Sequence, residues 1–169
     1  MVTTRVALDD LLATIGQVPD PEVPVVSIAD LGILRDVVAD EAAGTVEVII
    51  TPTYSGCPAM EAIRDRIELV CRRAGWEPHV RHQLSPAWTT DWMTEQGRDR
   101  LREWGIAPPG RAQTHTGGPV SVDLVRRLVA CPRCGSTHTT EIAHFGSTAC
   151  KALRRCEDCR EPFDEFKAI

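Results

Sequence analysis

Four cysteines near the end of this sequence have the spacing of metal ligands. They form two Cys-x-x-Cys pairs, Cys131 with Cys134 and Cys156 with Cys159, and 21 residues separate the pairs. Two residues between cysteines let both sulfurs of a tight turn face one ion, and two such turns complete a tetrahedral site of four thiolates. We therefore expect a metal ion bound by these four residues, with a pair of redox dithiols or unliganded cysteines as the alternative.

Zinc is the metal expected at this site, because closed four-cysteine sites are typically structural zinc sites. Thiolates also suit iron-sulfur centres, so an iron-sulfur cluster held transiently is the alternative. Cys150 lies six residues before Cys156 and is interpreted as a small buried residue, or else as an exchangeable ligand. His138 and His144 fall in the same stretch, and we expect them at the surface or in side-chain packing.

A further cysteine, Cys57, lies between a glycine and a proline where a helix is predicted to begin. A thiol there is close to free N–H groups and to the positive end of the helix dipole, which favours the thiolate. Cys57 is therefore a candidate nucleophile or metal-binding residue, and a small residue chosen for a tight loop is the alternative. Asp20, Glu22 and Asp30 could supply carboxylates beside it, whereas Cys71 falls on an apolar helix face and is expected in the core.

No standard catalytic set is found in the sequence. Neither His79 nor His82 has a spacing that supports a Cys-His pair with Cys57, and the sequence has neither a phosphate-binding glycine loop nor a His-Glu-x-x-His motif. We expect that the protein is not an enzyme by itself. Trp88 and Trp92 flank a polar segment and are expected in the core, with a partner-binding surface as the alternative.

The elements that must position these residues form a small α+β layer domain followed by a β module. Leu8, Leu11 and Ile15 follow a helical spacing that ends at Gly16. The three prolines of residues 19–24 predict a stiff extended loop. Next the patterns predict an antiparallel hairpin (33–38 and 45–51), a helix (59–74), a strand (80–84) and a helix anchored by Trp92, Leu101 and Trp104 (90–104).

The predicted domain limits follow from composition. Residues 1–104 form the α+β domain, residues 105–130 have the glycine and proline content of a linker and lead-in segment, and residues 131–169 form the four-cysteine ribbon. Short ribbon strands are expected at residues 139–145, 151–155 and 162–169. The metal should supply much of the folding free energy of this ribbon, because it has almost no apolar core.

The charge distribution bears on the class of partner. Residues 1–104 contain 10 Lys and Arg against 17 Asp and Glu, so the first domain is acidic and lacks the basic surface that nucleic-acid binding needs. Apolar stretches are too short to cross a membrane, and the first ten residues lack the apolar core of a secretory signal. We expect a cytoplasmic protein with reduced cysteines, protein or small-molecule partners, no nucleic acid and no membrane.

Three motifs carry a family resemblance: Asp-Pro-Glu-Val-Pro at residues 20–24, Ser-Ile-Ala-Asp-Leu-Gly-Ile at residues 27–33, and the Cys57 motif at residues 51–58. They resemble the metal-sulfur cluster biosynthetic family over roughly residues 6–95. Residues 85–93 and the tail from residue 145 resemble, more narrowly, the PaaD (or PaaJ) family of accessory subunits of the multicomponent phenylacetyl-CoA 1,2-epoxidase.

This resemblance implies a maturation factor that assembles or inserts an iron-sulfur cluster, with the [2Fe-2S] reductase subunit of the epoxidase, or another iron-sulfur protein, as its partner. It implies that Cys57 is the reactive or cluster-contacting thiol. Relatives often end in Phe-Lys-Cys-Ile, whereas this chain has Ala168, so a cysteine there is not an indispensable ligand. A structural subunit that binds the other components through the ribbon and the tryptophan-rich segment is the alternative, and a homo-oligomer stays open.

Overall fold

A computed structural model of the chain describes residues 5–54, 56–110 and 128–168. The chain divides into two compact units, Met1–Gly97 and Arg98–Ile169. The predicted class, an α+β domain followed by a small β module, is confirmed. The predicted limits at residues 104 and 130 stay a prediction, because the division by contacts falls between Gly97 and Arg98 and residues 111–127 lie outside the described part.

The first unit is built around a three-stranded sheet. Strands β1 (Leu34–Asp40) and β2 (Thr45–Ile50) form the predicted antiparallel hairpin, and Gly44, with φ of +74°, makes the turn between them. Strand β3 (Glu77–His82) pairs in parallel with β2. A parallel pair needs a crossover connection, which is the helix between β2 and β3 described next. Because β3 begins at Glu77, three residues earlier than predicted, Pro78 lies inside a strand at the sheet edge.

Two helices cover this sheet. Helix α1 (Leu8–Gly16) contacts α2 (Ala59–Arg73), and α2 connects β2 to β3. Both helices bury the apolar residues at the helical spacing that the sequence predicts, including Cys71 in the core. The buried apolar side chains of α1, α2 and β2 include Leu11, Ile15, Val46, Val48, Ile50, Ile63, Ile67 and Cys71.

The proline-rich segment folds back on itself and is not the extended loop that the sequence predicts. The Asp20 N–H donates to the Val26 carbonyl at 3.0 Å. The carboxylate Oδ1 of Asp20 accepts from the N–H groups of Glu22 and Val23, both at 2.8 Å. The prolines remove donors only at their own positions, so the remaining backbone groups and the buried Asp20 side chain are sufficient to close the loop.

The third predicted helix is interrupted. Residues Thr90–Trp92 form a single 3₁₀ turn. The Thr89 side chain caps the start of this turn by accepting a hydrogen bond from the Asp91 N–H, and Met93 after the turn is extended. Helix α3 (Glu95–Glu103) follows, and it spans the division between the two units. A side chain that caps a short turn competes with continuous helix, which explains the break.

The three tryptophans of this region differ in burial. Trp88 is 4% exposed and its Nε1–H donates to the Leu31 carbonyl at 2.9 Å, so the expected core position is confirmed. Trp92 is partly buried under the Arg35 guanidinium, which lies 3.5 Å from its ring centre. Trp104 is 65% exposed, and the expectation that it anchors the helix is wrong, because α3 ends at Glu103.

The second unit contains a four-stranded sheet in the order β4-β7-β6-β5. Its strands are β4 (Ile106–Ala107), β5 (Thr139–Ala143), β6 (Lys151–Cys156) and β7 (Pro162–Phe166). The last three match the predicted ribbon strands. Strand β4 lies within the predicted linker and pairs in parallel with β7, so residues 106–107 belong to the ribbon sheet. Among the helices of the described residues, none is long and apolar enough to cross a membrane.

Candidate functional site

The structure brings the four predicted cysteines of the second unit together. All four Sγ atoms lie within 4.8 Å of one another. The Sγ atoms of Cys131 and Cys159 are 3.8 Å apart, and those of Cys134 and Cys156 are 3.6 Å apart. A four-coordinate ion with metal–sulfur bonds of about 2.3 Å, the length for zinc, places its sulfurs about 3.8 Å apart. The four sulfurs therefore have the separations that one tetrahedral ion requires, and the four residues are a candidate metal site.

Each Cys-x-x-Cys turn is followed by a residue in the left-handed region. Gly135, directly after Cys134, has φ of +76°, and Arg160, directly after Cys159, has φ of +66°. Glycine adopts this conformation at no steric cost, whereas arginine does so at some cost. The contacts around the second turn must therefore hold Arg160 in a backbone conformation that arginine disfavours. The two turns, called knuckles below, are Cys131–Cys134 and Cys156–Cys159 with the residue that follows each.

Backbone N–H groups tune the thiols of the metal site. The N–H groups of Cys159 and Asp158 donate to the Cys156 sulfur and lower its pKa to about 7. The Glu161 N–H lowers the pKa of Cys159, but burial and the neighbouring thiols outweigh it and raise that pKa to about 12. Because metals bind thiolates, an ion that binds here displaces protons from the thiols that still carry them.

The other candidate ligands of this unit lie apart from the four sulfurs. Cys150 is buried and its sulfur lies 3.0 Å from the Thr148 Oγ1, as expected for a small packed residue. His138 and His144 are exposed, and each ring pairs with a carboxylate, Asp158 and Glu141 respectively. Among the described residues, the group of candidate metal ligands within 4.8 Å contains the four cysteines alone.

The first unit places Cys57 in the loop between β2 and α2, directly before Pro58 and the first turn of the helix. No side chain caps α2, and the Ala59 N–H donates to the Cys57 sulfur. The thiol is partly buried. Cys57 therefore has the helix-start position that the sequence predicts, and its sulfur and carbonyl oxygen accept from the N–H groups of Ala59 and Met60. His79 and His82 are exposed on β3.

The pKa of Cys57 shifts in the direction opposite to the one expected from the helix start. Burial raises it most, the Glu22 and Asp20 carboxylates raise it further, and the Ala59 N–H and Tyr54 lower it. Burial is thus the main cause, and the folded loop of residues 19–24 adds to it by bringing two of the three predicted carboxylates close to the thiol. Cys57 is accordingly a neutral thiol at pH 7.

The third predicted carboxylate, Asp30, has a structural position. Its Oδ2 accepts from the Ser27 N–H at 3.0 Å, and its Oδ1 accepts from the Thr94 hydroxyl at 3.3 Å. A Cβ added to Gly97 would lie 2.9 Å from the Asp30 carbonyl oxygen and Cβ, so only glycine fits there. Asp30 therefore joins the turn after residue 26 to the start of α3.

We expect Glu22→Gln to speed alkylation of Cys57 by iodoacetamide between about pH 7 and 9. Removing a negative charge beside the thiol lowers its pKa, so more thiolate is present at each pH and the rate rises. Mass spectrometry of the Cys57 peptide measures the rate. Glu47→Gln is the control, because Glu47 pairs with Arg81 on β3. Equal rates for the Glu22 variant and the unmodified chain would show that this carboxylate does not act on the thiol.

Comparisons with known proteins match both units. The family model for "Iron-sulfur cluster assembly protein" matches residues 8–81. The model for "PaaD zinc beta ribbon domain" matches residues 116–167. The chain is 51% identical over 161 residues to an Escherichia coli K12 protein that is named as a component of the "Putative 1,2-phenylacetyl-CoA epoxidase", and the match covers 95% of this chain and 92% of that protein.

Solved structures match part of the chain. The Bacillus anthracis domain of unknown function DUF59 is 29% identical with a TM-score of 0.50, and the match covers 55% of this chain and 89% of that one. A conserved hypothetical protein from Thermotoga maritima is 24% identical with a TM-score of 0.46, covering 59% and 97%.

Proposed function

Because this chain belongs to the PaaD family of phenylacetyl-CoA epoxidase components, we propose that it is a maturation factor for that enzyme system. In this proposal it assembles or inserts an iron-sulfur cluster during aerobic phenylacetate catabolism, and its client is the [2Fe-2S] reductase subunit of the epoxidase. It works in the cytoplasm, where its thiols stay reduced, and it is an accessory protein and not a catalyst.

The observation that carries this proposal is the position of Cys57 within the unit that matches iron-sulfur assembly proteins. The thiol is partly buried at the start of α2, where it accepts a hydrogen bond from the Ala59 N–H, and such a bond stabilises the thiolate once the proton is lost. Burial, together with the nearby Glu22 and Asp20, raises the pKa of the thiol and so favours its protonated form in the free protein. The positive charge of iron in an arriving cluster favours loss of that proton, so the thiol binds when its cargo is present.

We propose that the four-cysteine site holds zinc as a structural ion. The sulfur separations fit one tetrahedral ion, whereas a cluster places several irons and sulfides among its thiolates and needs wider separations. Zinc has no redox chemistry and, when bound, links the two knuckles. Cys131, Cys134, Cys156 and Cys159 would hold it, and the cluster chemistry is assigned to Cys57.

A co-expression experiment tests the maturation role. We expect the epoxidase reductase produced with this chain to contain more iron and acid-labile sulfide per protein than the reductase produced without it, in a host that lacks its own copy. Depleting this chain after the reductase has been assembled should leave epoxidase activity intact. Equal iron and sulfide contents with and without the chain would refute the role.

A structural subunit of the epoxidase is the second candidate, because the ribbon exposes two large apolar side chains. Ile142 is 56% exposed and Phe145 is 66% exposed. Such residues contribute strongly when a partner covers them. Trp88 is buried and cannot contribute to this surface. In this case the chain would co-purify in fixed ratio with active epoxidase, and its depletion after assembly would abolish activity.

A further inference from the structure

One residue of the second knuckle reaches across to the first. Asp158 lies between the ligands Cys156 and Cys159, and its carboxylate accepts a hydrogen bond from the Ser136 hydroxyl. The other carboxylate oxygen lies 3.2 Å from Nδ1 of His138. Ser136 and His138 both follow the first knuckle. The Asp158 side chain therefore connects the two halves of the metal site.

The residues at both ends of this connection are themselves bonded to metal ligands. The Ser136 carbonyl accepts from the Cys131 N–H at 2.8 Å, and the Ser136 hydroxyl accepts from the His138 N–H at 3.0 Å. At the other end, the Asp158 N–H donates to the Cys156 sulfur. A continuous chain of hydrogen bonds thus runs from the ligand of one knuckle to the ligand of the other.

One backbone bond already joins the second knuckle to the segment after the first, from the Glu157 N–H to the His138 carbonyl at 2.8 Å, and the Asp158 side chain adds bonds at Ser136 and at the His138 ring. Inside the first knuckle, the Gly135 N–H donates to the Cys131 carbonyl, and this bond does not fix the position of the second knuckle. A metal ion leaves a four-thiolate site one bond at a time. If the knuckles stay joined after the first bond breaks, the freed thiolate remains close to the ion and binds it again.

We propose that Asp158 is a positioning residue that clamps the two knuckles of the metal site together through Ser136 and His138 and so slows loss of the metal. The inference rests on the single ion of the proposed function. Groups that orient metal ligands in this way typically change metal affinity by about 10- to 100-fold.

The same knuckle supplies a matched control. Glu157 is the neighbour of Asp158 and also lies between the two cysteines, but its carboxylate bonds to the Arg155 guanidinium at 3.0 Å and to Thr140. These two partners face each other on the paired strands β5 and β6, and neither belongs to the chain of hydrogen bonds through Ser136 and His138. Alanine at position 157 therefore removes a carboxylate from the same knuckle, while alanine at position 158 removes the side-chain connection to Ser136 and His138. The backbone bond from the Glu157 N–H to the His138 carbonyl stays in both variants.

The test measures metal release from the full chain loaded with one equivalent of zinc, as the signal of a chelating dye in excess. We expect Asp158→Ala to release zinc about tenfold faster than the unmodified chain, and Glu157→Ala to release it at nearly the unmodified rate. Ser136→Ala should also speed release, and the double variant with Asp158→Ala should be no faster than Asp158→Ala alone. Asp158→Asn keeps an acceptor for the Ser136 hydroxyl, so it should release zinc more slowly than Asp158→Ala and faster than the unmodified chain.

A cobalt-loaded sample separates positioning from a general loss of stability. We expect the ligand-field bands of Co(II) to change in Asp158→Ala and to stay unchanged in Glu157→Ala, because a loosened knuckle alters the sulfur–metal–sulfur angles. Equal release rates for the two alanine variants would overturn the clamp. A chain that binds no zinc in any variant would instead overturn the proposed structural ion.

Discussion

Replacing Cys156 with serine is expected to unfold the ribbon at about 25 °C while the first unit stays folded. The serine hydroxyl is not ionised near neutral pH and does not replace a thiolate as a metal ligand. Metal binding contributes about 10–16 kcal/mol in small zinc-binding peptides, which is as large as the entire stability of many domains. Losing one of four ligands removes most of that contribution.

The composition of the ribbon core explains why this loss cannot be absorbed. One cluster of buried side chains lies around the metal site, and three of the cysteine ligands belong to it or pack against it. Its members are Ala107, Val129, Cys131, Cys156 and Phe163, with Cys159 packed against them. Without the ion the cluster holds few apolar groups and several polar thiols, too little to offset the entropy of ordering the strands.

Amide spectra recorded by NMR, together with zinc analysis, test this expectation. The Cys156→Ser chain should lose its stoichiometric zinc and the dispersed signals of β5, β6 and β7, and should keep those of β1, β2 and β3. Cys150→Ala is the control, since Cys150 is also buried in the ribbon and lies outside the four-sulfur group. A ribbon that stays folded without metal would contradict the prediction.

The second large effect is expected at Cys57. In the co-expression experiment, Cys57→Ser should lower the iron and sulfide content of the reductase to the level found without this chain. Serine matches the size of cysteine but its hydroxyl is a far weaker nucleophile and ligand for iron at neutral pH. Because Cys57 is partly exposed, the substitution should change the unfolding free energy by only about 0.5 kcal/mol, so the defect would be chemical.

Cys71→Ala is the matched control for this experiment. Both cysteines belong to the region of α2: Cys57 lies just before the helix, whereas Cys71 lies within it and is buried in the core. Its truncation should reduce stability without changing the reductase iron content, provided that the chain is still folded at the growth temperature. Full reductase iron content with Cys57→Ser would remove this thiol from the mechanism and favour the proposal of a structural role in the epoxidase.

The clustering of the four cysteines is predictable from the sequence because the geometry of each pair is local. A Cys-x-x-Cys turn brings two sulfurs together whatever the rest of the fold does, and Gly135 directly after the first pair indicates the left-handed residue such a turn uses. The equivalent position in the second knuckle holds Arg160, so that conformation has no signal in the sequence. The clamp by Asp158 was likewise hidden, since an acidic residue between two cysteines is more often solvated.

The environment of Cys57 could be predicted only in part, because it is set both by neighbours in the sequence and by residues far from Cys57 in the sequence. The start of α2 follows from Pro58 and the apolar spacing after it. The carboxylates of Glu22 and Asp20 lie more than thirty positions earlier, and they come close only because backbone bonds fold residues 19–24 back. The prolines of this segment predict an extended loop and do not indicate that turn. The direction of the pKa shift therefore depends on tertiary structure.

The errors in element bounds also have physical causes. Strand β3 begins at Glu77 because the backbone of residues 77–82 pairs in register with all of β2, from Thr45 to Ile50. The pattern of apolar residues shows only the central part of that pairing, near Val80. Tertiary pairing thus extended a strand whose ends are polar.

The buried core of the ribbon includes cysteines of the candidate metal site, and this affects how fast the protein is degraded in the cell. A newly made chain that has not met its ion exposes strands that proteases can cleave, whereas a loaded chain does not. Turnover of the chain is then set by how quickly it captures metal after synthesis. The abundance of this protein should follow the metal supply of the cell, even where its gene is transcribed at a constant rate.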